Sequence, residues 1–187
     1  NHHELRLMVV PSNYIGASFG YLGEQVTSAR QPFVKIGEDA ERNPTWQAHG
    51  RKSLTVLVVG ESARAENFGV LGYNRHTTLN LDKEAALIAF TDVHSCGTET
   101  AVSVPCMFSH LGKQAFEERS AEFESLLDVL QRAGLAVLWI DNQSGCKGVC
   151  ERVPHVSTAE GRDPRLCPGG ECLDEVMLEG LDARIAA

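Results

Sequence analysis

Three short apolar runs set the rhythm of this chain. Leu54-Thr55-Val56-Leu57-Val58-Val59 is closed by Gly60, residues 88–93 form a second run, and Leu135-Ala136-Val137-Leu138-Trp139-Ile140 a third. The first, β-branched and closed by glycine, fits a strand buried on both faces, and the other two are read as the second and third strands. Between them the spacing lengthens. Residues 79–86 predict a helix, and residues 101–110 predict another, with Pro105 near its first turn. Phe123, Leu126, Leu127 and Leu130 recur at helical spacing until Gly134 stops them, and Leu173, Val176, Met177 and Leu181 predict a last amphipathic helix. Strand, helix, strand, helix, strand predicts an α/β fold with an open, mostly parallel sheet and helices on both faces.

The first fifty residues follow a different pattern. Residues 15–26 predict an amphipathic helix with aromatics at Tyr14, Phe19 and Tyr21, lying either on the domain or at lipid headgroups. Residues 31–50, with Pro32 and Pro44, read as a linker or edge segment. Residues 1–50 are therefore expected to be a juxtamembrane helix and linker, and residues 51–187 the N-terminal part of an α/β catalytic domain. Three strands are few for such a sheet, and neither end carries a cleavable signal. The expectation is a piece of a longer protein whose C-terminal part is absent.

Composition narrows the partners. The net charge is −8, and the 17 Lys and Arg are scattered, so no basic stripe offers itself to nucleic acid. The longest apolar run, residues 135–140, falls far short of the ~20 residues of a membrane span. The cysteines fall as three near neighbours: Cys96 with Cys106, Cys146 with Cys150, and Cys167 with Cys172. Close pairs suit local disulfides in an oxidising compartment. A zinc site built from Cys146, Cys150, Cys167 and Cys172 is the alternative, and spacing alone leaves it open.

Two positions carry candidate chemistry. Glu61 directly follows the first run, at the carboxyl end of a strand, where open α/β sheets bind ligands. Thr100 lies between Cys96 and Cys106 at the expected start of a helix, where backbone N–H groups and the helix dipole favour an anion such as phosphate. The plain alternative is a capped helix beside a structural disulfide.

Ordered motifs add a resemblance. Val59-Gly60-Glu61-Ser62-Ala63-Arg64-Ala65, Gly72-Tyr73-Asn74-Arg75, the stretch from Ser95 through Cys106-Met107-Phe108-Ser109, and Asp141-Asn142-Gln143-Ser144-Gly145-Cys146-Lys147 follow one another along the chain. Together they resemble the bacterial lipid A phosphoethanolamine transferases, the colistin-resistance enzymes of the alkaline phosphatase superfamily. The resemblance implies an alkaline phosphatase/sulfatase-like fold and zinc-dependent transfer of phosphoethanolamine from phosphatidylethanolamine to lipid A, giving polymyxin resistance. It makes Thr100 the nucleophile that carries a phosphothreonine intermediate, Glu61 and Thr100 zinc ligands, and Ser144 and Lys147 the groups that hold phosphoethanolamine. It places the protein in the inner membrane through preceding helices, with this domain in the periplasm as a monomer. With the close spacing, it implies the pairs Cys96–Cys106, Cys146–Cys150 and Cys167–Cys172.

The remaining zinc ligands are expected beyond Ala187, since none of His2, His3, His49, His76, His94, His110 or His155 matches the family's positions. His76 and Leu79 depart from common family residues, in a link between strands. Two other readings stand beside this one. A phosphate or sulfate ester hydrolase of the same superfamily needs the same metal-assisted attack by a hydroxyl. A non-catalytic, disulfide-stapled binding domain needs none of it.

Overall fold

In a computed structural model of the chain, which describes residues 31–48, 50, 52–60, 62–159 and 163–186, side chains from well-separated segments meet in one core. Val104 and Phe108 reach it from one helix, Leu127 from another, and Cys146, Val149, Cys150 and Val153 from the cysteine loop. Val59, Val137 and Trp139 pack against it, and the Trp139 ring meets Phe108 edge to face at 5.5 Å.

The elements run β1 (Phe33–Val34), α1 (Pro44–Ala48), α2 (Thr100–Met107), α3 (Lys113–Glu117), β2 (Glu122–Phe123), α4 (Leu126–Arg132), β3 (Trp139–Asp141), β4 (His155–Ser157) and α5 (Leu181–Ala186), with short 3₁₀ turns between. All pairing is parallel among the described residues. Phe33 lies opposite Glu122 in one two-stranded sheet, and Trp139 opposite His155 in the other. The expected α/β class and parallel pairing are thus present, but the strands that pair are not all those the apolar runs marked.

Residues 54–59 and 88–93 have no ladder partner among the described residues. Val58 is 81% exposed and Ile88 75%, so neither run is the buried strand its composition predicts. A strand is defined by its neighbours, and here nothing described lies beside either run to take up its backbone groups. Of the third run only Trp139 and Ile140 enter β3, which continues to Asp141.

Helix boundaries also moved. In place of a helix over residues 79–86 stands one 3₁₀ turn, Leu81–Lys83, with Leu79 and Leu81 exposed. Helix α2 begins at Thr100 and ends at Met107, short of His110, and Pro105 falls inside it rather than in its first turn. Phe123 belongs to β2, and α4 starts after Ser125. There a capping box closes the end: the Ser125 side chain serves the third helical residue's N–H, and the Asp128 carboxylate accepts from the Ser125 N–H at 2.6 Å. The last helix is broken in two. A 3₁₀ turn, Asp174–Leu178, buries Val176, and Gly180, at φ +68°, separates it from α5.

Two ion pairs brace this frame. Arg132 on α4 grips Glu124 with both carboxylate oxygens, at 2.6 and 2.5 Å, and donates to the carbonyl of Ile36 at 2.7 Å. Glu124 in turn accepts the Ile36 N–H, so the segment after β1 is clasped to α4 by one buried carboxylate. Arg152 binds Asp128 through two hydrogen bonds of 2.8 Å, and its guanidinium lies over the Phe33 ring at 4.8 Å. The expected juxtamembrane helix over residues 15–26 lies outside the described residues.

Candidate active site

Thr100 is the first residue of α2 and is half-buried. Four and eight residues on, Val104 and Phe108 share its helix face and are 8% and 2% exposed. The buried face of α2 therefore carries Thr100 at its N-terminal end, on the margin of the core. The preceding turn is tightly held. Cys96 and Cys106 are joined, with Cα atoms 6.3 Å apart, so the last turn of the helix fixes the loop that leads into it. A Cβ on Gly97 would stand 3.1 Å from a Val102 methyl, tighter than ordinary packing, so the loop lies directly against the first turn. Ser95, a rival hydroxyl, donates within the loop to the Gly97 carbonyl.

Glu99 stands at the cap position of α2 without a cap hydrogen bond, and the first turn holds no acidic residue. Glu99 does not take up the first-turn N–H groups, which with the positive end of the helix dipole favour an anion beside Thr100.

Ser144 and Lys147 meet directly. The Lys147 ammonium donates to the Ser144 hydroxyl and to its carbonyl, both at 2.8 Å. Lys147 holds φ at +52°, a left-handed conformation unusual for a residue with a Cβ, and the Cys146–Cys150 disulfide brackets it. The start of this loop is fixed by Asp141, whose carboxylate accepts the Gly145 N–H at 3.0 Å. The third disulfide, Cys167–Cys172, also forms, and none of the six cysteines is free, so the alternative of a four-cysteine zinc site is excluded.

Glu61 lies outside the described residues. Its neighbours are informative. Val59 packs against the core that receives Val104 of α2 and Cys146 of the lysine loop. Ser62, just beyond Glu61, has φ +50° and shares with Lys147 alone, among described non-glycine residues, the left-handed region. Val59, Val104 of α2 and Cys146 beside Lys147 thus share one hydrophobic cluster, and Ser62 and Lys147 hold left-handed backbone close to it.

Among the described residues no three His, Cys, Asp or Glu side chains converge on a metal-sized site, so these residues alone do not make a metal centre. Three of the described histidines are engaged locally. His94 pairs with Asp92 on the surface, His110 packs edge to face on Phe123, and His155 Nδ1 lies 3.0 Å from the Val153 carbonyl. Reading by apolar runs passed over one buried group, Asn142 at the end of β3. A polar pair, Asp141-Asn142, closing an apolar strand was the available signal.

Residues 53–187 match the sulfatase family. Phosphoethanolamine transferase EptA of Escherichia coli K12 is 48% identical over 186 residues, 99% of this chain and 34% of that protein. Phosphatidylethanolamine transferase Mcr-1 of Escherichia coli is 43% identical over 141 residues, 72% of this chain and 26% of its own length. The structure of the integral membrane lipooligosaccharide phosphoethanolamine transferase EptA from Neisseria meningitidis superposes with a TM-score of 0.85 at 39% identity, over 95% of this chain and 33% of that one. The chain spans about a third of the length of these relatives. The family match over residues 53–187, joined to a superposition of that quality, makes this chain a member of the sulfatase family, similar in sequence and fold to its phosphoethanolamine transferases.

Proposed function

We propose that this chain is the nucleophile-bearing part of a phosphoethanolamine transferase, an enzyme that takes phosphoethanolamine from phosphatidylethanolamine onto Thr100 and passes it to lipid A. The observation that carries the reading is the placement of Thr100. A hydroxyl sits at a helix N-terminus, clamped by Cys96–Cys106 and anchored by Val104 in the core. The names of the similar proteins from Escherichia coli and Neisseria support the group transferred.

In the first step the Thr100 oxygen forms a bond to phosphorus, and the bond from phosphorus to the glycerol oxygen breaks. Diacylglycerol leaves, taking up a proton, and the threonine proton is lost. Backbone N–H groups of the first turn of α2 stabilise charge growing on the phosphoryl oxygens. Lys147, its ammonium steadied by Ser144, supplies a cation to the same phosphate, and the Ser144 hydroxyl a hydrogen bond. In the second step a phosphate oxygen of lipid A attacks the phosphothreonine, and Thr100 regains its hydroxyl. Two displacements through one covalent intermediate give ping-pong kinetics.

The sulfatase family is a metalloenzyme superfamily, and that supports a metal here. Zinc suits the oxygen donors of Glu61 and Thr100, with its other ligands outside the described residues. When bound, it supplies acidification of the hydroxyl and neutralisation of phosphoryl charge. Glu61→Ala in the full-length enzyme should then lose bound zinc and turnover together, as read by metal analysis alongside the transfer assay. Full zinc occupancy with normal turnover would remove Glu61 from the ligand set.

Both lipids are membrane components, so the reading places the enzyme in the inner membrane with these residues in the periplasm, where disulfides persist. Residues 1–50 serve as the juxtamembrane part and residues 51–187 belong to the catalytic domain. The reading takes the enzyme as a monomer, and lipid A modification of this kind lowers polymyxin binding.

The test is to incubate the full-length enzyme with donor lipid alone, digest it and map the added mass by tandem spectrometry. Phosphoethanolamine is expected on Thr100. Thr100→Ala should abolish both label and turnover while leaving the fold intact, and Thr100→Ser should keep part of each. A label on Thr98 or Ser103, or full activity without a label, would refute the assignment. Water as the final acceptor would identify a hydrolase instead.

A further inference from the structure

Asn142 is only 8% exposed, and its side chain joins three parts of the chain. Its Nδ2 donates to the Cys172 carbonyl and to Asp174 Oδ1, both at 3.0 Å, and its Oδ1 accepts from the Thr158 hydroxyl at 3.3 Å. Both amide protons and the amide oxygen are thus engaged. The orientation of the amide is settled by its partners, because turning it over would aim oxygen at a carbonyl and a carboxylate. Thr158 lies just beyond β4, donates its N–H to the Asp141 carbonyl at 2.7 Å, and shares its single hydroxyl proton between that carbonyl, at 3.2 Å, and Asn142 Oδ1. Cys172 belongs to the third disulfide, which ties the Cys172–Asp174 segment back to Cys167.

Two residues after Asn142 comes Ser144, and five after it the strained Lys147. We infer that Asn142 is a positioning residue for phosphate recognition, a strut that fixes the base of the Ser144–Lys147 loop against the Cys167–Cys172 segment. The inference rests on the reading above, in which Ser144 and Lys147 hold the donor's phosphate. A left-handed lysine persists only where its surroundings over-determine it. This loop is held at its centre by Cys146–Cys150, at its far end by the Ser125 hydroxyl on the Val149 carbonyl, and at its near end by Asp141 and Asn142. Asp141 ties the near end to β4 and Thr158, whereas Asn142 ties it to the Cys172–Asp174 wall, so loss of Asn142 frees the loop from that wall. An amide is required. Aspartate, with the same shape, would set a carboxylate against Asp174 and the Cys172 carbonyl and remove both donors.

The experiment uses the full-length enzyme and phosphatidylethanolamine in mixed micelles, comparing wild type, Lys147→Ala, Asn142→Asp and Asn142→Asp with Asp174→Asn. Loss of a ground-state phosphate contact should raise KM and spare kcat. Asn142→Asp should raise the donor KM by about tenfold, with kcat within about twofold of wild type. The double variant restores an amide–carboxylate pair in reverse and should bring KM back to within about threefold. A normal KM for Asn142→Asp while Lys147→Ala is impaired would overturn the strut and leave the proposed role of Lys147 standing. So would a fall in kcat as large as the rise in KM that Asp174→Asn does not relieve, the mark of general misfolding. A normal KM for Lys147→Ala would remove the proposed role of that residue, and the strut with it.

Discussion

Asp128 has two assignments on one carboxylate. It closes the N-terminal box of α4 and binds Arg152, and its side chain is only 5% exposed. Burial pushes its pKa up, but the Arg152 guanidinium and the Ser125 N–H and hydroxyl together outweigh burial and hold it below the usual carboxylate value. A group with a lower pKa in the folded state contributes its full stabilisation above the unfolded value, ~3.9, and loses it as pH falls through the lower folded value. Urea unfolding should therefore show stability declining below about pH 4, and Asp128→Asn should flatten that decline. At neutral pH the same variant should cost about 2 kcal/mol, less than a fully buried pair because Arg152 is more than a third exposed. An unchanged acid limb in Asp128→Asn would show that another carboxylate governs it.

At the level of elements, the clasp of Glu124 and Arg132 on the segment after β1 makes a separable prediction. Arg132→Ala leaves the Ile36 carbonyl without its guanidinium donor and Glu124 buried without its cation. Amide exchange at Val34 and Ile36 should then quicken by about tenfold or more while α2 keeps its protection, as read by mass spectrometry or NMR. Uniform loss of protection would mean global destabilisation instead. Much of this architecture was legible beforehand. Gly134, at φ +83°, follows α4 as the sequence implied, and the turn between Cys96 and Cys106 delivers Thr100 to a helix start. Ser125-x-x-Asp128 was equally readable as a capping box, and it would have moved the helix start past Phe123. What no local pattern shows is a partner. Residues 54–59 have a strand's composition, yet pairing depends on backbone brought from elsewhere, and two-residue β1 finds its mate in β2 across most of the described chain. Asn142 stayed hidden for the same reason, since its partners lie 16 to 32 residues away.

For the molecule as a whole, the exposed runs matter most. Leu54, Val56, Leu57 and Val58 are each more than 60% exposed, and Ile88, Phe90 and Val93 more than 70%. Extended apolar segments with unpaired backbone invite association. Prepared by itself, the 187-residue chain should bind a hydrophobic dye and self-associate as concentration rises, whereas sedimentation as a single monomer without dye enhancement would contradict that. The parallel pairing of β1 with β2 carries a consequence in time. The Ile36 N–H and the Glu124 carboxylate that accepts it are 88 residues apart. A ribosome adding roughly 5–20 residues per second needs about 4–18 seconds to cover that interval. During synthesis the segment around β1 must therefore wait, its backbone bonded only to water, for a partner not yet made, and whatever shields it in that interval decides how much of each newborn chain reaches its native pairing.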